Sequence, residues 1–328
     1  MTEWIGQTCP ADSSWRGVSY APELGIFVAV ASAGTYRSMY SYDGKIWIAS
    51  SDLGTTLQWN KVSYSAALGR FVAIASNSGS NTQKVAISQD GIDWTTGYFT
   101  TNQAWRNVIW VDDMDLFVAC ANDGTGRIAT SPDGMSWTTR SVPAALAYYG
   151  LAYSPSLGLI VCTAIDGVSN RVITSPDGIN WTLRTSSTAN GWQSICWSED
   201  LDLFVAGGST SSTNAFLTSP DGINWTVRTI STARIIQGVV WSSHYSKFFA
   251  ITGDNSGVVL ESTDGIIWTE TAASAALKWY GITDGPGRSG YSHSIIAAVA
   301  GDGIGNGIMT YGAEPPGGAK PILIFLGL

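Results

Sequence analysis

The sequence predicts an all-β fold: a seven-bladed β-propeller of four-stranded antiparallel blades, with the ring closed by the N-terminal strand. Three observations predict it. A seven-residue box, Ser-Pro-Asp-Gly-Ile-Asn-Trp, occurs at 175–181 and again at 219–225, with variants at 41–47, 88–94, 131–137 and 262–268. The box aspartates Asp43, Asp90, Asp133, Asp177, Asp221 and Asp264 are separated by 47, 43, 44, 44 and 43 residues, a period that marks a repeat architecture. Between boxes lie short β-rich runs bounded by turn residues, and no stretch carries a convincing 3.6-residue apolar stripe.

Within a unit the strands follow in order. The first opens on an aromatic or apolar residue, at 15–20, 59–64, 105–110, 148–153, 192–197 and 236–241. A turn such as Pro22-Glu23-Leu24-Gly25 leads to a second strand, for example Ile26-Phe27-Val28-Ala29-Val30 or Leu203-Phe204-Val205-Ala206. These runs are too short for helices and rich in β-formers. A polar loop then precedes a third strand, as in Arg171-Val172-Ile173-Thr174, which enters the box. The box itself has the chemistry of a type I turn with a G1 bulge: Ser first, Pro tolerated second, Asp third, then Gly where φ is positive. A fourth strand leaves from the box Trp. Four strands in about 44 residues make one propeller blade.

The chain ends supply the blade count. Residues 279–282, 295–299 and 307–311 read as the first three strands of a seventh unit that lacks its own box. Trp4 lies 43 residues before Trp47 and is followed, like it, by Ile. Residues near 3–7 are therefore expected to supply the missing outer strand, giving one column of Trp4, Trp47, Trp94, Trp137, Trp181, Trp225 and Trp268. The remaining tryptophans fall at the start or the end of first strands. The propeller is expected over 1–312. A Pro/Gly-rich linker and an apolar tip, Ile322, Leu323, Ile324, Phe325, Leu326 and Leu328, follow over 313–328.

Composition narrows the function. With 45% hydrophobic residues and 13% charged, the 328 residues bury a large core. A net charge of -8, with 17 Lys and Arg thinly spread, leaves no footprint for nucleic acid. No apolar run is long enough to cross a bilayer, and the N-terminal residues lack the basic and apolar regions of a secretory signal. Cys9, Cys120, Cys162 and Cys196 share no metal-ligand spacing; three sit in apolar strand segments and read as buried thiols from a reducing cytoplasm.

The boxes resemble the Asp-box, or bacterial neuraminidase repeat, of sialidase-type propellers, whose usual pattern is Ser-x-Asp-x-Gly-x-Thr-Trp. Here Gly follows Asp directly and the box is one residue shorter, over a resemblance that spans about 1–312. In that family the box is a folding element away from the active site, which implies structural roles for the six aspartates. The compact form is also similar to propeller modules of bacteriophage virion and tail proteins and of bacterial surface proteins.

A sialidase-type site needs an arginine cluster, a Tyr nucleophile assisted by Glu, and an acid donor. Arg140, Arg184 and Arg228 each lie three residues after a box Trp, on equivalent outer-strand positions that do not converge on the axis. The few glutamates form no motif with a Tyr, and His244 and His293 fit no triad or metal pattern. No nucleotide fingerprint is present, and the Asp112-Asp113-Met114-Asp115 turn lacks EF-hand spacing. No catalytic residue, metal or cofactor is therefore expected.

Function is expected on loops held by the scaffold. Those joining second to third strands share one face with the connections between blades. Their candidate ligand-facing residues are Asn77, Asn122, Asp123, Asp166, Asn170, Asn214, Asp254, Asn255, Asp302 and Asn306, with Tyr36, Tyr98 and Phe99 for stacking. The same residues are also ordinary turn formers. The expected function is a non-enzymatic structural and binding module on a virion or extracellular surface. It would present loops to a receptor or glycan and dock to a protein assembly through the apolar tip. A sialidase-like hydrolase and an intracellular assembly factor are the alternatives.

Overall fold

The computed structural model describes residues 3–50, 53, 57–76, 84–99, 101–186, 190–285, 294–301 and 307–312. It contains seven four-stranded antiparallel sheets arranged as the blades of a propeller. Blade three shows the plan, with strands Trp105–Val111, Leu116–Ala121, Ile128–Ser131 and Thr138–Arg140 paired in sequence order. The first strands of successive blades neighbour one another around the axis. The short fourth strands form the rim. Among the described residues no helix is long and apolar enough to cross a membrane.

The ring closes as the tryptophan spacing predicts. Trp4–Gln7 pairs antiparallel with Ile308–Tyr311, with Trp4 opposite Tyr311 and Gln7 opposite Ile308. Trp4 packs edge-on to Phe249 in the neighbouring blade, with ring centroids 5.9 Å apart. The first and last segments of the propeller are thus joined by hydrogen bonds, and no sheet edge is left open at the seam.

Second strands are buried on both faces, because each blade is covered by a neighbour on either side. Phe71 to Ala75 and Phe117 to Ala121 are fully enclosed without alternation. The box explains how closely the blades stack. Gly91 has φ +75°, and a Cβ there would lie 2.4 Å from Val28 Cγ2 of the preceding blade. The same residue must adopt a left-handed turn and leave room for the next sheet, which only glycine does without strain. In every box one Asp oxygen accepts two backbone N–H groups; for Asp177 these are Ile179 N at 2.8 Å and Asn180 N at 2.7 Å. The box Ser hydroxyl donates to the same oxygen, as Ser175 does at 3.0 Å. Burial pushes these carboxyls up, but the amide and hydroxyl donors outweigh it and hold Asp177 and Asp221 down at about 2. In five of the six boxes the Trp indole closes the turn on the Gly carbonyl, at 2.8 Å for Trp47 and 2.9 Å for Trp137; Trp94 is the exception.

Strand ends differ from the sequence-based bounds by a residue or two. The fourth strand of blade one, for example, begins at Ile48, just after the box Trp47. The Trp remains buried because its ring folds back over the turn instead of following the strand outward. Cys9, Cys120 and Cys162 are buried thiols and Cys196 is half-buried; none is disulfide-bonded.

Candidate functional site

A single irregularity recurs in all seven blades. The pairing of first and second strands shifts register after the first aromatic or apolar residue, between Trp15 and Gly17, Trp59 and Lys61, Trp105 and Asn107, Tyr148 and Gly150, Trp192 and Ser194, Ile236 and Gly238, and Trp279 and Gly281. The skipped residue is a β-bulge, a device that re-aims one side chain out of the ladder. Residues before the bulge are fully buried. The bulged residues Arg16, Asn60, Arg106, Tyr149, Gln193, Gln237 and Tyr280 instead line a cavity of about 410 Å³ on the axis. Lys61, Asn107 and Ser194 add polar groups from the next position, and Ile109, Leu151, Ile195, Val239 and Ile282 form its apolar wall.

A second ring, one residue beyond the second strands' partners of the first aromatics, holds several of these side chains. Arg16 Nε donates to Ser32 Oγ at 3.0 Å, and its guanidinium lies 3.7 Å above the Tyr280 ring. Asn60 Nδ2 donates to Ser76 Oγ at 2.7 Å and to the Trp105 carbonyl of the next blade at 2.9 Å. Turned with its oxygen toward Arg106, the Asn122 amide accepts from Arg106 Nε at 3.2 Å, from Nη2 at 3.0 Å and from the Tyr149 hydroxyl at 3.1 Å. Arg106 in turn sits 5.2 Å over the Tyr149 ring. Gln193 Nε2 donates to the Ile236 carbonyl at 3.0 Å. Gly253 and Gly301 occupy the equivalent ring positions beside Gln237 and Tyr280, where a Cβ would meet those side chains at 2.4 Å.

Charge is unevenly placed around this cavity. Arg16, Lys61 and Arg106 stand on three consecutive blades, and among the described residues the lining contains no carboxylate. Burial lowers the Lys61 pKa. Nearby, Lys84 is fully buried and donates to the Gln103 carbonyl at 2.8 Å. Arg171 donates to the Gly167 carbonyl, and burial lowers its pKa despite the nearby Asp166.

The loop residues expected to face a ligand divide into several groups. Asn122 meets the cavity indirectly, by holding Arg106 and Tyr149. Asp123 and Asp166 tie down backbone, accepting from Ala104 N at 2.5 Å and Ala147 N at 2.6 Å. Asp254 pairs with Arg234 at 3.5 Å, and Asn255 is a left-handed turn residue with φ 56°. The Asn214 carbonyl accepts from Asn190 Nδ2 at 2.8 Å, and Asn170 is half-buried beside Gly167. Tyr36 and Tyr98 are exposed. Phe99 is a correction: it is 2% exposed and stacked 4.1 Å from Trp105, because it fills the gap between that indole and Trp137. It is core, not a stacking surface. Asn77, Asp302, Asn306 and the tip residues 322–328 lie outside the described residues, as does His293. Arg140, Arg184 and Arg228 donate to Thr130, Thr174 and Thr218 of their own blades at 2.9, 2.9 and 3.0 Å. They belong to the rim and do not converge.

The opposite end of the inner strands has another character. Tyr20, Tyr64, Trp110, Tyr153, Trp197 and Trp241 pack there, five of them against the phenylalanines of their second strands. Their polar atoms are taken up by acids in adjacent turns: Trp110 donates to Asp112 at 2.7 Å, Trp197 to Glu199 at 2.6 Å, Trp241 to Asp200 at 2.7 Å and Tyr153 to Asp113 at 2.6 Å. Asp284 takes the seventh place, its carboxyl pushed up by burial and partly restored by the Ser294 and Ser242 hydroxyls. Among the described residues no group of His, Cys, Asp and Glu is arranged to hold a metal.

No family model and no curated protein matches this chain. Solved structures resemble it over nearly its whole length. Virginiamycin B lyase from Staphylococcus aureus aligns with a TM-score of 0.75 at 12% identity, covering 96% of this chain and 99% of that one. YCF48 from Cyanidioschyzon merolae aligns at 0.66 and 13% identity over 94% and 98%. The GH74 enzyme from Niastella koreensis aligns at 0.68 and 15% over 94% of this chain and 53% of its own. A chain of the mitotic checkpoint complex aligns at 0.66 and 12% over 94% and 90%. At these identities the likeness establishes the propeller fold alone, a fold that serves both enzymes and assemblies.

Proposed function

We propose that this chain is a non-enzymatic binding module whose ligand sits in the axial cavity at the loop face. One observation carries the reading: seven equivalent bulges turn seven polar or aromatic side chains into one cavity on an otherwise apolar, interlocked scaffold. A concave site with an apolar wall and a few convergent polar groups is the usual form of a ligand pocket. Among the described residues the lining offers guanidinium, ammonium, amide, hydroxyl and phenol groups, and no carboxylate or imidazole to pair with a tyrosine as nucleophile. A receptor or glycan is the partner these groups suit, since amides hydrogen-bond hydroxyls and phenols stack on sugar faces.

The wider setting is a virion or cell surface, with residues 313–328 docking the propeller to an assembly. The resemblance of the boxes to phage virion modules and the apolar composition of 322–328 support this. A glycan array read alongside a hydrolysis assay tests the main reading. Binding without turnover is expected, and it should be lost on Tyr149→Ala. Detectable turnover would remove the non-enzymatic part, with Lys61 as the first residue to test as a base. Retention of the 1–312 fragment in the native particle would remove the docking part.

A further inference from the structure

We infer that the ligand of the axial cavity is a small hydroxyl-bearing molecule carrying a carboxylate, sulfate or phosphate group, and that its anionic group binds the arc formed by blades one to three. This rests on the reading of the cavity as the binding site and names the ligand that site takes. Arg16, Lys61 and Arg106 enter the cavity from consecutive blades of a chain whose net charge is -8, yet among the described residues none of the three forms an ion pair. Three like charges half-removed from water and left without counter-charge repel one another and are poorly solvated. An oxyanion between them removes both penalties.

The two guanidinia are also held ready. Ser32 and the Tyr280 ring fix Arg16, and its two Nη groups make no hydrogen bond to the described residues. Asn122 and the Tyr149 ring fix Arg106 through Nε and Nη2 and leave Nη1 free. A guanidinium that is already oriented loses little freedom on binding, and its planar fork matches the geometry of carboxylate and phosphate oxygens. Across the cavity the groups are uncharged: Gln193 and Gln237 face the arc from blades five and six. The ligand's hydroxyls are placed there, so the anion and the neutral body point to opposite blades. The six box carboxylates and the acids of the first turns lie at the far end, away from the cavity, while Asp123 and Asp166 at the loop face are engaged by backbone N–H groups.

Calorimetric titration of the full chain with glucuronate, glucose 6-phosphate, inorganic sulfate, inorganic phosphate and glucose tests the inference. Glucuronate or glucose 6-phosphate should bind at least tenfold more tightly than glucose, and the free anions should compete. Arg16→Gln and Arg106→Gln should each weaken binding about tenfold, while Arg234→Gln, an ion-paired residue elsewhere on the loop face, should leave it unchanged. If a substituted chain does not fold, the unsubstituted protein still decides the matter, because affinity must fall steeply as sodium chloride is raised. Equal affinity for glucose and its anionic counterparts, or salt-independent binding, overturns the inference. Neutral binding that is lost on Tyr149→Ala would leave the binding-module reading standing and sink only the anionic one; no binding that maps to the cavity would sink both.

Discussion

The two ends of the inner strands are built from the same repeat and have opposite chemistry. At the loop face, bulges turn one polar or aromatic residue per blade into the axial cavity, and three cations line it with no acid among its described residues. At the box face, aromatic side chains give their N–H and O–H groups to carboxylates in neighbouring turns. Most polar groups of the box end are engaged within the protein, in the box turns and between the inner aromatics and the acids of the first turns. Those of the loop end are only partly satisfied, and the remainder are oriented into open space. The contrast teaches that a repeat divides its labour by position: one end of each blade binds its own turns, and the other, on the function proposed above, is left for recognition.

Substitutions should separate the two roles. The largest effect is expected at the box face, where Gly91→Val combines φ +75° with a Cβ 2.4 Å from Val28. It should cost roughly 3 kcal/mol or more by strain and overpacking, measured by urea unfolding, while ligand affinity of the folded fraction stays unchanged. A smaller effect is expected from pH. Asp177 and Asp221 have native pKa values of about 2, below the ordinary 3.8, so the unfolded chain binds protons first. Their contribution is therefore complete above about pH 4 and is lost as pH falls through 2. The pair Asp177→Asn and Asp221→Asn should flatten the fall in melting temperature between pH 4 and 2. An unaltered slope would show that these carboxylates are not what fastens the box end.

The smallest effect should lie at the loop face. Ser32→Ala removes the hydroxyl that accepts from Arg16 Nε and donates a long bond of 3.4 Å to the Ser14 carbonyl, and it should weaken binding of an anionic probe about threefold with a smaller change in stability. Ser32→Thr should restore the affinity. Loss of stability without loss of affinity would place Ser32 with the scaffold and blur the division between the two ends.

Much of this architecture was legible in the residues. The Ser-x-Asp-Gly turn announces a hairpin because each residue answers a local demand, and the distance from Trp4 to Trp47 announces closure because one blade length is preserved. The cavity was not legible in the same way. Arg16, Asn60, Arg106, Tyr149, Gln193, Gln237 and Tyr280 each follow the opening residue of a first strand, and that shared place, polar beside an aromatic, was the available signal. Period-two alternation alone does not reveal that the strand bulges there. Phe99 fails for the related reason that an aromatic in a connection reads as exposed until its neighbours Trp105 and Trp137 are seen to enclose it.

By itself, then, the amino-acid sequence determined the repeat, the turn chemistry, the number of blades and how the ring closes, because these rest on residues near one another or on a constant spacing. Only the tertiary structure decided that seven separate bulges meet on one axis, that three cations share it with no acid among the described lining residues, and that the box carboxylates lie at the other end. Those facts join residues as far apart as Arg16 and Tyr280. Such residues meet only when the ring is complete, and no local preference along the chain encodes their meeting.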